Sequence, residues 1–223
     1  MTGQAPAPDL SVYLVADAGQ CADAGRSVPE TVAAAVEGGV SAVQLRAKEA
    51  GTEEFIALAL AVGRVLPGHV PLIINDRVDV AVEARERGAR VSGVHVGQGD
   101  LAVENVRRFL GAEALVGLSA ATEAQLAAAR DHPARVDYVG IGTVRATGSK
   151  GDAPPGLGIE GLGRLAAGSP LPAVAIGGIV PEDLPGLRDA GLAGAAVLSW
   201  VCQAPDPRQA ARELRSAWER GAA

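Results

Sequence analysis

The chain alternates short apolar runs with longer amphipathic segments, and the alternation repeats along most of its length. The apolar runs are rich in Val, Ile and Leu and nearly continuous in apolarity, which is typical of strands buried on both faces of a parallel sheet. We predict strands at residues 11–17, 42–47, 71–76, 93–98, 115–120, 138–143, 173–178 and 194–200.

The segments between these runs have the spacing of amphipathic helices. Thr52 and Thr122 each precede acidic residues, and a small polar cap followed by early acids is typical of a helix N-terminus. Gly191 is positioned to end a helix just before the last strand. The clearest predicted helices cover residues 52–66, 122–131 and 205–220.

Eight strand–helix units within about 210 residues favour a (β/α)8 barrel, an α/β fold of one domain. We place this domain at residues 11–223, after a disordered lead over residues 1–10. An open, doubly wound sheet is the alternative. In both architectures the chemistry lies just past the carboxyl ends of the strands.

Composition narrows the function classes. The net charge of −6 and the lack of a basic stripe argue against nucleic-acid binding. No apolar run reaches the roughly 18 residues of a membrane span. The N-terminus lacks the features of a signal peptide, and Cys21 and Cys202 have no metal-ligand spacing. Two unpaired thiols, rather than a disulfide, fit the cytoplasmic location that we expect.

Polar side chains interrupt the second predicted strand. Strand alternation puts Gln44, Arg46 and Lys48 on one side, where an ordinary core would be apolar. We interpret this group as an anion clamp. A salt-bridge network that plugs the barrel is the alternative.

Two acids follow the next two strands. Asp76 ends strand 3 directly after Asn75, and Asp100 follows strand 4. Carboxylates at neighbouring strand ends could share a hard cation such as Mg²⁺, although either acid alone could instead cap the next helix. His95 lies inside the strand 4 run and is interpreted as a core histidine with satisfied hydrogen bonds.

The later strands end in small residues and hydroxyls. Barrels often bind phosphate through the loops after strands 7 and 8, where glycines let backbone N–H groups approach closely. The candidates are Ser119 at the end of strand 5, Gly177 and Gly178 at the end of strand 7, and Leu198 and Ser199 at the end of strand 8.

The connection after strand 6 is unusually long, and the next helix starts near Ile159. A structureless connection of this length is uncommon unless it is functional, so we predict a lid. It carries Thr147, Ser149 and Lys150. Of the twenty basic residues only Lys48 and Lys150 are lysines, and both follow predicted strand ends, which favours a use for a compact ammonium charge.

Seven motifs in order resemble the thiamine-phosphate synthases, which are (β/α)8 enzymes. They are "VQLRAK", "IINDRVDVA", "GVHVGQGDL", "GLSAAT", "YVGIGTVRATGSK…GLG", "AIGGI" and "VLSWV". The resemblance implies a Mg²⁺-dependent transferase of thiamine biosynthesis. Such an enzyme joins 4-amino-2-methyl-5-hydroxymethylpyrimidine diphosphate to 4-methyl-5-(2-hydroxyethyl)thiazole phosphate, or its carboxylated form, releasing pyrophosphate.

The resemblance also implies a role for each candidate residue. The pyrimidine diphosphate would be bound by Gln44, Arg46, Lys48, Asn75, Ser119 and Lys150. The thiazole phosphate would be bound by Thr147, Ser149, Gly178, Leu198 and Ser199, and Mg²⁺ by Asp76 and Asp100. Of these, Arg46, Lys48, Ser119 and Lys150 are expected to serve catalysis.

The chain departs from the family pattern in the loop after strand 6 and at one histidine. The family's "GPIYPTxTK" reads "GTVRATGSK", so Arg145 replaces an aromatic residue and both prolines are gone. The histidine of "SxHT" is Ala121. These changes leave a non-catalytic phosphate-binding barrel as an alternative. A thiazole tautomerase of the same fold is a second alternative, against which the intact clamp, the two candidate Mg²⁺ ligands and the missing histidine argue. Small phosphorylated molecules are the expected partners, and the sequence leaves a homo-oligomer open.

Overall fold

Eight parallel strands close into one barrel in the computed structural model, which describes residues 8–145 and 156–220. Each strand pairs with its neighbours in chain order, and β1 pairs with β8 through Val12 and Ala195. This closing pair excludes the open-sheet alternative. The prediction of a (β/α)8 barrel is confirmed.

The strands and helices alternate as the sequence predicts. The strands are Val12–Asp17 (β1), Ala42–Arg46 (β2), Leu72–Asn75 (β3), Val91–Val96 (β4), Leu115–Ser119 (β5), Tyr138–Gly142 (β6), Ala173–Ile176 (β7) and Gly194–Val197 (β8). The helices are Ala18–Asp23 (α1), Val28–Glu37 (α2), Thr52–Val65 (α3), Val78–Glu86 (α4), Val103–Leu110 (α5), Glu123–Arg130 (α6), Gly158–Ala167 (α7), Leu184–Asp189 (α8), Ser199–Cys202 (α9) and Pro207–Arg220 (α10).

One predicted strand boundary and one predicted helix cap are wrong for local reasons. Strand 8 was expected to reach residue 200, but Leu198 leaves the extended conformation (φ −125°, ψ −80°) and Ser199 begins the short helix α9. Thr52 lies inside α3 rather than before it, because Gly51 is the residue that precedes the helix. Thr122 does cap α6, since its side chain accepts a hydrogen bond from the backbone N–H of Gln125.

The core has two layers, one inside the barrel and one between the strands and the helices. The inner layer includes Tyr13, Ile73, Tyr138 and Val174. The outer layer is larger and consists mainly of Ala, Val, Leu and Ile from both strands and helices. The chain's two tyrosines are thus concentrated inside the barrel, where each phenol needs a hydrogen-bond partner.

Both cysteines are free and buried. The Sγ atom of Cys202 donates to the backbone carbonyl of Val15 at 3.5 Å. The expectation of two unpaired thiols therefore agrees with the structure. In the part of the chain that the structure describes, no helix combines the length and the apolarity needed to cross a membrane.

Close approach of backbones at Gly194 generates a first prediction. A Cβ atom added there would lie 1.7 Å from the carbonyl oxygen of Leu10, and a backbone atom cannot move aside as a flexible side chain can. We expect Gly194→Ala to lower the free energy of unfolding by about 3 kcal/mol, measured by urea denaturation. Gly99→Ala is the control, because a Cβ there meets nothing within 4 Å. Equal stability of the two variants would contradict this packing.

Candidate active site

A cavity of about 530 Å³ opens at the carboxyl ends of the strands. Residues from or just after every strand line it, as expected for a barrel whose chemistry lies at this end. Of the predicted site residues it brings together Gln44, Arg46, Asn75, Ser119, Gly178, Leu198 and Ser199. The groups expected to hold two different substrates therefore share one compartment.

Arg46 is held at the cavity by a carboxylate that the sequence analysis did not assign to the site. Its guanidinium forms an ion pair with Asp17, which is buried at the end of β1. The other carboxylate oxygen of Asp17 accepts a hydrogen bond from the backbone N–H of Gln20 at 3.0 Å. The pairing fixes the guanidinium in place, and a fixed planar donor suits a phosphate group. The position of Asp17, at a strand end, is the signal that could have identified it.

Lys48 lies apart from Gln44 and Arg46. Strand β2 ends at Arg46, so the alternation that was expected to align all three side chains stops there. Lys48 is exposed and does not line the cavity. The alternative, a salt-bridge network that plugs the barrel, applies only to Arg46, which pairs with Asp17.

Asp76 and Asp100 do not cap helices, which was the alternative to a metal site. Helix α4 begins after Arg77 and α5 after Ala102, in both cases without a side-chain cap. Asp76 has a left-handed backbone (φ 61°), which is uncommon for residues other than glycine, although Asp and Asn adopt it more often than most. The carboxylate of Asp100 accepts a hydrogen bond from the backbone N–H of Gly97 at 2.7 Å.

The metal prediction receives no direct support from the arrangement of acids. Among residues 8–145 and 156–220, no group of three or more His, Cys, Asp or Glu side chains is close enough to hold a metal ion. The Mg²⁺ site at Asp76 and Asp100 stays a prediction.

His95 is hydrogen-bonded as expected, but it is not an ordinary core residue. It lines the cavity, and its two ring nitrogens lie 3.0 Å from the hydroxyls of Tyr138 and Ser119. Tyr13 and Tyr138 also line the cavity and extend this network toward Gln44. Neither tyrosine was predicted as a site residue, because an aromatic residue within an apolar run is most simply interpreted as core.

The turn after β7 forms a second wall of the cavity. Gly177 and Gly178 both have left-handed backbones (φ 96° and 68°), which other residues adopt only with strain. The Arg145 side chain donates to the carbonyl of Gly178 at 2.9 Å and forms two hydrogen bonds with the Asp183 carboxylate at 2.5 and 2.6 Å. Arg145 therefore joins the start of the loop after β6 to this turn.

Comparison with known proteins identifies the family of this chain. The sequence matches the family model of thiamine monophosphate synthase over residues 12–201. The chain belongs to this family.

Relatives named thiamine-phosphate synthase match most of the chain. One from Psychrobacter sp. (strain PRwf-1) is 45% identical over 206 residues, which cover 92% of this chain and 93% of the relative. One from Solidesulfovibrio magneticus is 47% identical over 214 residues, covering 96% and 97%. The solved structure of thiamine phosphate pyrophosphorylase from Pyrococcus furiosus has a TM-score of 0.82 and 28% identity, and covers 97% of this chain and 98% of that one. The resemblance drawn from the motifs is confirmed.

Two departures from the family pattern can now be located. Ala121, which replaces the histidine, lines the cavity, and its backbone N–H donates to the side chain of Gln125 at 2.7 Å. Arg145 replaces the aromatic residue and forms the ion pair with Asp183 described above. The predicted lid and its residues Thr147, Ser149 and Lys150 fall within residues 146–155, which lie outside the described residues.

The contact between Arg145 and Asp183 generates a second prediction. Burial acts to raise the pKa of Asp183, but hydrogen bonds from Arg145 and from the N–H of Val180 outweigh it, and the net shift is downward. We expect Arg145→Met to raise the pKa of Asp183, as followed by NMR titration of the side-chain carboxyl carbon. Arg164→Met, which breaks an exposed pair with Glu160, should leave that pKa unchanged.

The same shift fixes a pH dependence. A carboxyl whose pKa is lower in the folded state stabilises the protein above its unfolded pKa of about 3.9, and this contribution disappears as the pH falls through the folded value. The stability difference between the native protein and Arg145→Met should therefore be present at neutral pH and vanish in acid. An unchanged pKa of Asp183 in Arg145→Met would contradict the assigned ion pair.

Proposed function

We propose that this protein joins an aminopyrimidine diphosphate to a thiazole phosphate and thus forms thiamine phosphate and pyrophosphate. One observation carries the proposal. A single cavity is lined on one side by Gln44, Arg46 and Asn75 and on the other by Gly178 and Ser199, the groups that the family resemblance assigns to the two substrates. Membership of the thiamine monophosphate synthase family supports the same reaction.

The polar residues divide naturally between the two substrates. Gln44 and Ser119 would hold the pyrimidine ring, while Arg46 and Asn75 would hold its diphosphate. The exposed Lys48, two residues after Arg46, would contact the same diphosphate from outside the cavity. The backbone at Gly178, with Leu198 and Ser199, would hold the thiazole phosphate. From sequence alone, Thr147 and Ser149 would join these contacts, and Lys150 would contact the diphosphate.

The chemistry needs little proton transfer from the protein. The electron-donating amino group of the pyrimidine stabilises the cation that forms when the C–O bond to the diphosphate breaks and its electron pair leaves with the diphosphate. The thiazole nitrogen then supplies the electron pair of the new C–N bond. Arg46 and the two lysines would offset the charge that grows on the diphosphate, and the cavity walls would align the two rings and exclude water from the cation.

The donor chemistry of the acids fits Mg²⁺. This ion is usually bound by one or two carboxylates together with substrate phosphates and water, so Asp76 and Asp100 would not need a third protein ligand. The left-handed backbone of Asp76, which is uncommon for residues other than glycine, supports a functional role for this position. When bound, the ion would neutralise part of the diphosphate charge.

An isomerase that acts on the thiazole alone is the alternative favoured by one observation, the imidazole of His95 beside the cavity. Interconversion of thiazole tautomers without the pyrimidine substrate would support it. Release of pyrophosphate that requires both substrates would support the transferase and would also exclude a non-catalytic barrel.

The proposed role of Asp76 gives a third prediction. Asp76→Asn removes the charge but keeps a residue that tolerates the left-handed backbone, and we expect turnover to fall roughly a hundredfold or more. The control is Asp79→Asn, because Asp79 is exposed on α4 and pairs with Arg77. Pyrophosphate release with both substrates is the measurement, and thermal unfolding verifies the fold. Equal rates for the two variants would refute the role of Asp76.

Removal of divalent metal gives a fourth prediction. Pyrophosphate release by the native protein should stop in excess chelator and return on addition of Mg²⁺, because the diphosphate charge would otherwise lack its partner. Full activity in chelator would exclude the metal from the reaction while leaving the transferase itself intact.

A further inference from the structure

Five side chains form an unbroken hydrogen-bonded chain along the cavity. The Nε2 atom of Gln44 donates to the Tyr13 hydroxyl at 2.9 Å, and the Tyr13 and Tyr138 hydroxyls lie 2.8 Å apart. The Tyr138 hydroxyl is 3.0 Å from Nδ1 of His95, whose Nε2 is 3.0 Å from the Ser119 hydroxyl. Gln44 and Ser119, the two ends, are the residues proposed to hold the pyrimidine ring.

The surrounding strands make room for this chain. A Cβ atom at Gly117 would lie 2.2 Å from the Tyr138 ring and 2.4 Å from Nδ1 of His95. At Gly140 it would lie 3.0 Å from Cε1 of His95. Strands β5 and β6 therefore carry no side chain where the phenol and the imidazole meet, and the contact is built into the barrel wall.

Both phenols are neutral and have a single proton each. Burial is the main cause that raises the pKa of Tyr13 and of Tyr138 well above the ordinary value. A neutral phenol donates one hydrogen bond, so only one of the two tyrosines can donate in the bond between them. The chain must therefore have a direction, and the direction at one end determines the direction at the other.

The direction follows from Gln44. Because Nε2 of Gln44 donates to Tyr13, the Tyr13 proton has its acceptor in the Tyr138 hydroxyl, and a buried hydroxyl proton without an acceptor is costly. The Tyr138 proton is then donated to Nδ1 of His95. An imidazole that accepts a hydrogen bond at Nδ1 carries its proton on Nε2, and His95 therefore donates from Nε2 to Ser119. Gln44 is left with an acceptor, its Oε1 atom, for a molecule in the cavity, and Ser119 with a donor, its hydroxyl proton.

We infer that the chain couples Gln44 and Ser119 into one acceptor–donor pair, so that Tyr13, Tyr138 and His95 act as positioning residues that select the hydrogen-bonding pattern of the bound ring. The inference rests on the proposed function. An aminopyrimidine fits the pair, since its exocyclic amine donates to Gln44 and a ring nitrogen accepts from Ser119. A ring with acceptors at both places does not fit, because the amide of Gln44 cannot turn over without reversing the whole chain.

The test compares binding of two ligands to native and variant protein. The ligands are the aminopyrimidine diphosphate and its analogue with methoxy in place of the amine, titrated calorimetrically with Mg²⁺ and without the thiazole. The native protein should prefer the amine roughly a hundredfold, because a buried polar group left unpaired is costly. In Tyr138→Phe the hydrogen-bonded chain is interrupted, so the amide of Gln44 can turn over alone. The preference for the amine ligand should then fall at least tenfold.

A loss of packing would weaken the binding of both ligands alike and leave the ratio of their affinities unchanged. Thr31→Val is the matched control. It removes a buried hydroxyl on α2 that donates to the backbone carbonyl of Ser27, just before the helix. Tyr13→Phe breaks the chain at another link and should lower the ratio in the same way, which keeps the test open if Tyr138→Phe does not fold. A native ratio in either folded phenylalanine variant would overturn the inference.

The result also separates this inference from the proposed function. If the native protein releases pyrophosphate when both substrates are present, but the folded Phe variants keep the native ratio of affinities for the two ligands, the proposed function stands and the coupling is refuted. A native protein that binds neither ligand and releases no pyrophosphate overturns both.

Discussion

Parallel pairing of every strand with both neighbours brings eight carboxyl ends to one mouth, and the candidate site depends on this constraint. Residues far apart in sequence, such as Gln44 and Ser199, line one cavity only because β8 pairs with β1 and the sheet closes. An open sheet would separate its edge strands and split the two proposed substrate groups. The steric limit at Gly194, where β8 meets the backbone of Leu10, is part of that closure.

Polar groups inside a barrel are tolerated only when they satisfy one another. Arg46 is paired with Asp17, and Gln44 is bonded to Tyr13, so these two proposed ligand contacts are each held in one orientation by a buried partner. Preorganised groups lose little freedom when a substrate binds, which suits a reaction that depends on position and charge more than on proton transfer. Arg145, where the family has an aromatic residue, extends this pattern by an ion pair with Asp183.

Much of the fold was accessible from the sequence, because the strands buried on both faces appear as short apolar runs between amphipathic segments. Most of the candidate site followed from one rule, that chemistry lies at strand carboxyl ends. The rule located Gln44, Arg46 and Ser119 at the cavity.

The remaining features depend on contacts between strands, which periodicity does not contain. Tyr13 and Tyr138 are indistinguishable from core residues until β1 and β6 are seen to place their hydroxyls 2.8 Å apart. The pairing of Asp17 with Arg46 depends likewise on the register of β1 against β2. The end of β8 was missed because Leu198 and the residues after it are apolar enough to continue a strand but turn into α9.

A crystal structure of this protein with the aminopyrimidine diphosphate and Mg²⁺ would test most directly whether the cavity at the carboxyl ends of the strands is the substrate site. We expect the pyrimidine ring to lie between Gln44 and Ser119, with its amine on the Gln44 side, and the diphosphate to contact Arg46 and Asn75. A ring bound outside the cavity, or a diphosphate with no contact to Arg46, would contradict it.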